Sequence, residues 1–135
     1  MHEYVRVQTA ILLRRLAFEV GRAGRSSDAE SVHDLRVALR RFSRCLRVFS
    51  QFYPANSWKK ARHQLEVLMQ AAGEVRDRDI ALELLAEAGF GKHTAPFQRL
   101  AEERLNAHRQ LSQAVRDWKA RGFSRKWRNS LGLDA

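Results

Sequence analysis
The chain is expected to fold as an all-α protein, an up-down four-helix bundle with a short C-terminal helix. Three observations predict this. β-Branched residues are sparse while Ala, Leu, Arg and Glu abound, a composition that favours helix. Apolar residues recur at intervals of three and four, the period of an amphipathic helix. The only two prolines, Pro54 and Pro96, fall at segment edges rather than inside periodic stretches, where a proline would break the helix. At 135 residues the chain is long enough for one domain with its own core, and residues 1–135 are read as a single unit.

The first helix is expected from Glu3 to Arg22, stopped by Gly21 and Gly24 in "GRAGRSS". "SDAE" reads as a capping box, Ser27 with Glu30. It starts a second helix that ends near Phe52, ahead of Pro54. A third is expected to open at Asn56 or Ser57 as N-cap and to reach Ala88. In "GFGKHTAP", Gly89 and Gly91 end that helix while Thr94 and Pro96 open a fourth. The fourth runs to Arg121 and stops at Gly122, and Ser124 is read as the cap of a last short helix, "RKWRNSL". Connections this short join antiparallel neighbours.

Lys and Arg number 25 against 15 acids, a formal net charge of +10. Such a bias is a statement about partners, and polyanions are the natural ones. Cys45 is the single cysteine, which excludes an internal disulfide and fits a reducing compartment. No apolar run approaches the ~20 residues a bilayer span requires. Glu3 and the arginines inside the first apolar stretch argue against a signal peptide. A cytoplasmic location is therefore expected, without a membrane partner.

The charge is concentrated. Between Ser31 and His63 there are eight Lys or Arg and one acid, a net of +7. On a helical wheel Val32, Leu35, Leu39, Phe42, Leu46, Phe49 and Tyr53 make an apolar stripe that should face the core. His33, Arg36, Arg40 and Arg47 fall on a second, narrow stripe roughly 130° away. Arg44 lies just off it on one side, Ser43 on the other, and Arg41 further round. The third helix begins "WKKARH" and adds Lys59, Lys60, Arg62 and His63. Like charges at i,i+4 cost a few tenths of a kcal/mol each. A solvated face would relieve that cost by mixing signs, as the later part of the third helix does with Glu66, Glu74, Arg76, Asp77, Arg78, Asp79 and Glu83. A single-sign stripe beside a core stripe reads better as an anion groove, because guanidinium groups bind phosphate oxygens in pairs and keep their charge at physiological pH.

These residues resemble the CHAD family, α-helical domains named for a histidine. The leading motif is carried by His33, Arg36, Val37, Arg40, Arg41, Arg47 and Phe49. The second, a glycine followed by Arg-Asp, one residue, Asp and an aliphatic, is carried by Gly73, Arg76, Asp77, Asp79 and Ile80. The resemblance implies a module that binds inorganic polyphosphate along a basic surface and localises to polyphosphate granules. Some relatives are fused to triphosphate-processing enzymes, but the domain itself is a binding module, and no cofactor is implied. The basic stripe, the start of the third helix and the motifs together give the expected binding set: His33, Arg36, Arg40, Arg41, Arg44, Arg47, Lys60 and Arg76.

There are three departures. Ser43 and Glu66 stand where the family often has a basic residue. Ala72 stands where it often has leucine. The family also usually carries two such bundles in tandem, and this chain has room for one. A homodimer would rebuild the two-bundle surface.

Individual residues admit other readings. His33 either donates to a phosphoryl oxygen, with binding that strengthens as the imidazole is protonated, or bonds a neighbour such as Glu30. Arg76 either reaches the groove or pairs with Asp77 or Asp79, and those two acids read as organisers of basic side chains. Gly73, inside a helix, suggests close packing of two helices.

Rival functions are fewer. "ESVH" places Glu30 and His33 at the spacing of a carboxylate-bridged metal bundle, but no second copy exists. No Gly-rich phosphate loop, cysteine pair or nucleophile elbow is present, so no enzyme class is indicated. Nucleic acid is the serious alternative partner, given the basic stripe and three tryptophans, although no aromatic lies on the arginine stripe to stack bases. A protein partner with an acidic surface is a further alternative.

Overall fold
A computed structural model of the chain describes residues 2–134. Its elements are α1 (Glu3–Arg25), α2 (Ala29–Val48), a 3-10 turn (Ser50–Phe52), α3 (Ala55–Glu87), α4 (Ala95–Ala120) and α5 (Phe123–Ser130). The described residues contain no strand. α2 packs between α1 and α3, α4 packs on α3 and closes against α1, and α5 touches α1, α3 and α4 at one end. This is the expected four-helix bundle with its short terminal helix.

The core follows the apolar stripes. Leu13, Leu16 and Val20 of α1 meet Val32, Leu35, Leu39, Phe42 and Leu46 of α2. Leu65, Leu68, Ala72 and Val75 of α3 and Leu111, Val115 and Trp118 of α4 complete it. Each large side chain removed from water in this way contributes about 1.5–3 kcal/mol. Trp127 of α5 seals the end, its ring 5.9 Å from Phe42, 5.5 Å from Phe123 and 5.6 Å from Trp118. Leu131 and Leu133 are buried behind it, and Arg6 of α1 donates to the Leu133 carbonyl at 2.9 Å.

Several boundaries differ from expectation, each for a local reason. α1 runs through Gly21 and Gly24 to Arg25. A Cβ on Gly24 would lie 3.3 Å from Val115, so this glycine admits α4 rather than ending α1. The N-cap of α2 is Asp28, not Ser27. Its carboxylate accepts from the Ser31 backbone N–H at 2.7 Å and from the Ser31 hydroxyl at 2.6 Å. Bonds to the Ser31 hydroxyl, to its N–H and to Ser26 hold that carboxyl down at about 2.

α2 ends at Val48, short of Phe52. Pro54 disfavours helix for the residue before it, and Tyr53 is extended at φ −116°, ψ 152°. Its ring still reaches the core, its hydroxyl meets Thr9, and burial pushes it up to about 12. Pro54 itself is the N-cap of α3, so Asn56 and Ser57 lie inside the helix. Gly122, left-handed at φ 63°, caps α5 in place of Ser124. Thr94 precedes α4 as expected, with Pro96 in its first turn.

Candidate functional site
Which way the arginine stripe faces is settled by landmarks on α2. Asp34 pairs with Arg22 of α1 at 2.5 Å, and the Cys45 thiol lies 3.3 Å from the Thr9 hydroxyl of α1. These two residues mark the α1-facing flank. At about 100° per residue, Arg36, Arg40 and Arg47 lie roughly 120–160° round the axis from Asp34, and His33 about 100°. The core stripe lies on the other, longer arc between Asp34 and the arginines, so the arginines occupy the shoulder of α2 away from α1, on the side that borders α3. Arg41 lies near the α1 flank and Arg44 between the two.

α3 is oriented by the same logic. Arg78 reaches Glu103 of α4 at 3.6 Å, and Gln64 and Val67 share a cavity with Ala114 and Trp118 of α4. Arg62 and Arg76 lie roughly 160° from Arg78 on the wheel, on the flank toward α2. The α2–α3 groove therefore collects Arg36, Arg40, Arg47 and His33 from one helix and Arg62 and Arg76 from the other. The heptad spacing 62, 69, 76 puts Arg62 on the same face as Arg76, a signal present in the sequence, whereas the expected set names Lys60 in its place. Lys60 stands on the α4 flank of its helix and lines a separate cavity with Arg121 and Lys126.

The charges of the groove are not neutralised internally. Among the described residues none of His33, Arg36, Arg40, Arg41, Arg44, Arg47, Lys60, Arg62 or Arg76 is in an ion pair. Three nearby acids are taken by other arginines, while Glu30, Glu66 and Asp77 are in no ion pair among the described residues. Asp34 holds Arg22, Glu74 holds Arg78 at 2.5 Å, and Asp79 holds Arg104 at 2.8 Å. Arg76 is thus paired with neither Asp77 nor Asp79. Asp79 does organise a basic side chain, but its partner comes from α4, twenty-five residues along, and no local spacing pointed to it.

Two groove arginines are partly sunk between the helices. The Nε atoms of Arg36 and Arg62 are buried with no hydrogen-bond partner. A buried unsatisfied donor costs on the order of 1–3 kcal/mol, and an anionic oxygen in the groove would relieve it. Arg62 also lies over the Trp58 ring at 5.7 Å, while Trp58 itself packs against the core. His33, Arg40, Arg44 and Arg47 are exposed.

Gly73 does not serve close helix packing. A Cβ there would meet nothing within 4 Å. The glycine lines a shallow depression of about 420 Å³ on the outside of α3, with Glu66, Glu74 and Asp77 around it. This acidic edge lies beyond Arg62 and Arg76. Glu30 and His33 are both exposed, and among the described residues no three His, Cys, Asp or Glu side chains gather as a metal set. No helix among the described residues is long and apolar enough to cross a membrane.

Comparison with known proteins agrees with the motifs. The CHAD domain model matches residues 10–135. No curated protein and no solved structure matches the chain. Covering nearly the whole bundle, from the middle of α1 through α5, the match shows that the chain belongs to the CHAD domain family.

Proposed function
We propose that this chain is a non-catalytic module that holds inorganic polyphosphate in the α2–α3 groove, and that it works in the cytoplasm, at polyphosphate granules where these form. CHAD domains are associated with polyphosphate binding in general. The observation that carries the reading here is the row Arg36, Arg40 and Arg47 on one shoulder of α2, with no carboxylate partner among the described residues. Polyphosphate is a flexible chain with about one negative charge per unit. A rigid row of guanidiniums, Arg36 and Arg40 one turn apart at about 5–6 Å and Arg47 two turns further at about 10.5 Å, offers it repeated two-point contacts, and nothing in such contacts requires a base or sugar. Arg36 and Arg62 add buried N–H donors, and His33 adds an imidazole N–H.

The test is a competition between long-chain polyphosphate and single-stranded DNA of matched charge at physiological salt, on the native chain and on Arg36→Glu with Arg40→Glu. Polyphosphate should be preferred, and the double variant should lose it while keeping its thermal transition. Preference for DNA would transfer the groove to nucleic acid. Full retention by the double variant would remove the groove from the function.

We also propose that two copies pair. Tyr4, Val7, Ile11 and Phe18 recur at helical spacing on the outside of α1, 61%, 37%, 45% and 56% exposed. This apolar stripe supports an isologous contact between two α1 helices. Sedimentation of the pure chain at micromolar concentration, with and without polyphosphate, decides it: a monomer under both conditions refutes pairing.

A further inference from the structure
A second anion site lies apart from the groove, at the end of the bundle where α3 begins and α4 gives way to α5. The cavity there has a volume of about 550 Å³, within the range of small-ligand pockets. Its rim carries Lys59, Lys60, Arg121 and Lys126, and no acid lines it. Its lining is largely apolar and includes Phe123 and Trp127, both nearly buried, so that they contribute ring edges rather than open faces. Among the described residues none of the four cations is in an ion pair. Three of them rest on aromatic faces instead. Arg121 lies 4.7 Å and Lys126 5.6 Å from the Phe123 ring centre, and Lys59 lies 6.0 Å from that of Trp58. A cation on a ring is placed without being neutralised, so its charge stays available to a ligand. The first turn of α3 opens into the same cavity through Asn56 and Ser57, adding the positive end of a 33-residue helix.

The site differs in kind from the α2–α3 groove. The groove is a linear row open along its length, suited to a polymer. The cavity is compact, with cations around an apolar base. A bare inorganic phosphate chain would use the rim and leave the base empty. A ligand that uses both has two or three phosphates and a flat body. We infer that this cavity binds an organic polyphosphate of nucleoside di- or triphosphate type, its body against the apolar lining formed by the cation stems and the ring edges that Phe123 and Trp127 show to the cavity, and its phosphates against Lys59, Lys60, Arg121 and Lys126. The site stands independently of the groove, because Lys60 lies on the opposite flank of α3 from Arg62 and Arg76.

Equilibrium dialysis of the full chain with ATP, and with tripolyphosphate as the probe that has the charge but no body, tests this. The variants are Lys60→Glu with Arg121→Glu at the cavity and Arg36→Glu with Arg40→Glu at the groove. Lys60→Ala with Arg121→Ala serves if the charge reversals unfold. The cavity pair should weaken ATP about tenfold or more while leaving long-chain polyphosphate on the groove. The groove pair should do the reverse, and ATP should bind more tightly than tripolyphosphate to the groove variant. No ATP binding by the native chain overturns the inference. So does equal loss of ATP in the groove variant, or tripolyphosphate matching ATP at the cavity. If the groove pair leaves polyphosphate binding intact while the cavity pair removes ATP, the groove reading fails and the cavity stands.

Discussion

Asp79 of α3 accepts a hydrogen bond from Arg104 Nε of α4 at 2.8 Å, and the same guanidinium donates to the Ser27 carbonyl at 2.5 Å. One arginine thus ties two helices to the connection that leads into the arginine-bearing helix. Asp79 is buried and Arg104 mostly so. Removing one partner strands the other, so Asp79→Ala and Arg104→Ala should each destabilise the fold by about 1–3 kcal/mol. Their effects should be strongly non-additive. Urea unfolding of the two single variants and the double gives the coupling. Additive losses would mean that the pair is not the unit described.

Arg62 and Arg76 are expected to matter to polyphosphate although neither is on α2. Each cation that meets phosphate releases counterions, so the slope of log affinity against log salt should fall by roughly one for each such side chain removed. Arg62→Ala and Arg76→Ala should both show this. Lys60→Ala, on the other flank of α3, should leave the slope for long-chain polyphosphate unchanged. A lysine effect as large as the arginine effects would place the ligand across α3 rather than between α2 and α3.

The contrast between Lys60 and Arg62 shows where the sequence was legible. The apolar stripe of α2 was readable because its period selects one face, and Val32, Leu35, Leu39, Phe42 and Leu46 are all buried. The arginine stripe was readable as a stripe for the same reason. Which neighbour it faces was not, since that depends on Arg22 reaching Asp34 across a loop. Gly24 read as a helix breaker because its role, admitting Val115, belongs to a helix ninety residues on. The cavity at the start of α3 joins residues from three elements and had no local signature. Asp28 rather than Ser27 caps α2 because its side chain is the one that reaches Ser31, a matter of geometry that the capping-box spacing does not decide.

A pH effect on stability should come from His108. Burial first, and then the neighbouring Arg104, lower its affinity for a proton below the ordinary 6.5, with Ser26 and Asp79 acting weakly the other way. The unfolded chain therefore binds that proton more readily than the folded one, and stability rises with pH across the interval. The contribution is complete above 6.5 and is lost as pH falls from there toward the lowered folded value. Thermal unfolding followed between pH 5 and 7.5 should show the native chain weakening on acidification. His108→Gln should flatten that trend. An unchanged trend in the variant would mean that His108 is not its source.

Gly73 offers the sharpest test of what surrounds α3. A glycine inside a helix costs roughly 0.5–1 kcal/mol relative to alanine, because the unfolded chain has more freedom to lose. Evolution tolerates that cost where another group must come close. Within this chain nothing does: a Cβ at Gly73 would find no heavy atom within 4 Å. Gly73→Ala should therefore raise the stability of the isolated monomer by about 0.5–1 kcal/mol in urea unfolding. The depression it lines carries Glu66, Glu74 and Asp77, an acidic edge complementary to the basic groove of a second copy. If two copies meet there, the alanine should stabilise the monomer and weaken the pair, and sedimentation would separate the two effects. Gain of stability with unchanged sedimentation would leave α1 as the only pairing surface. Loss of stability in the monomer would contradict the open space described at this position.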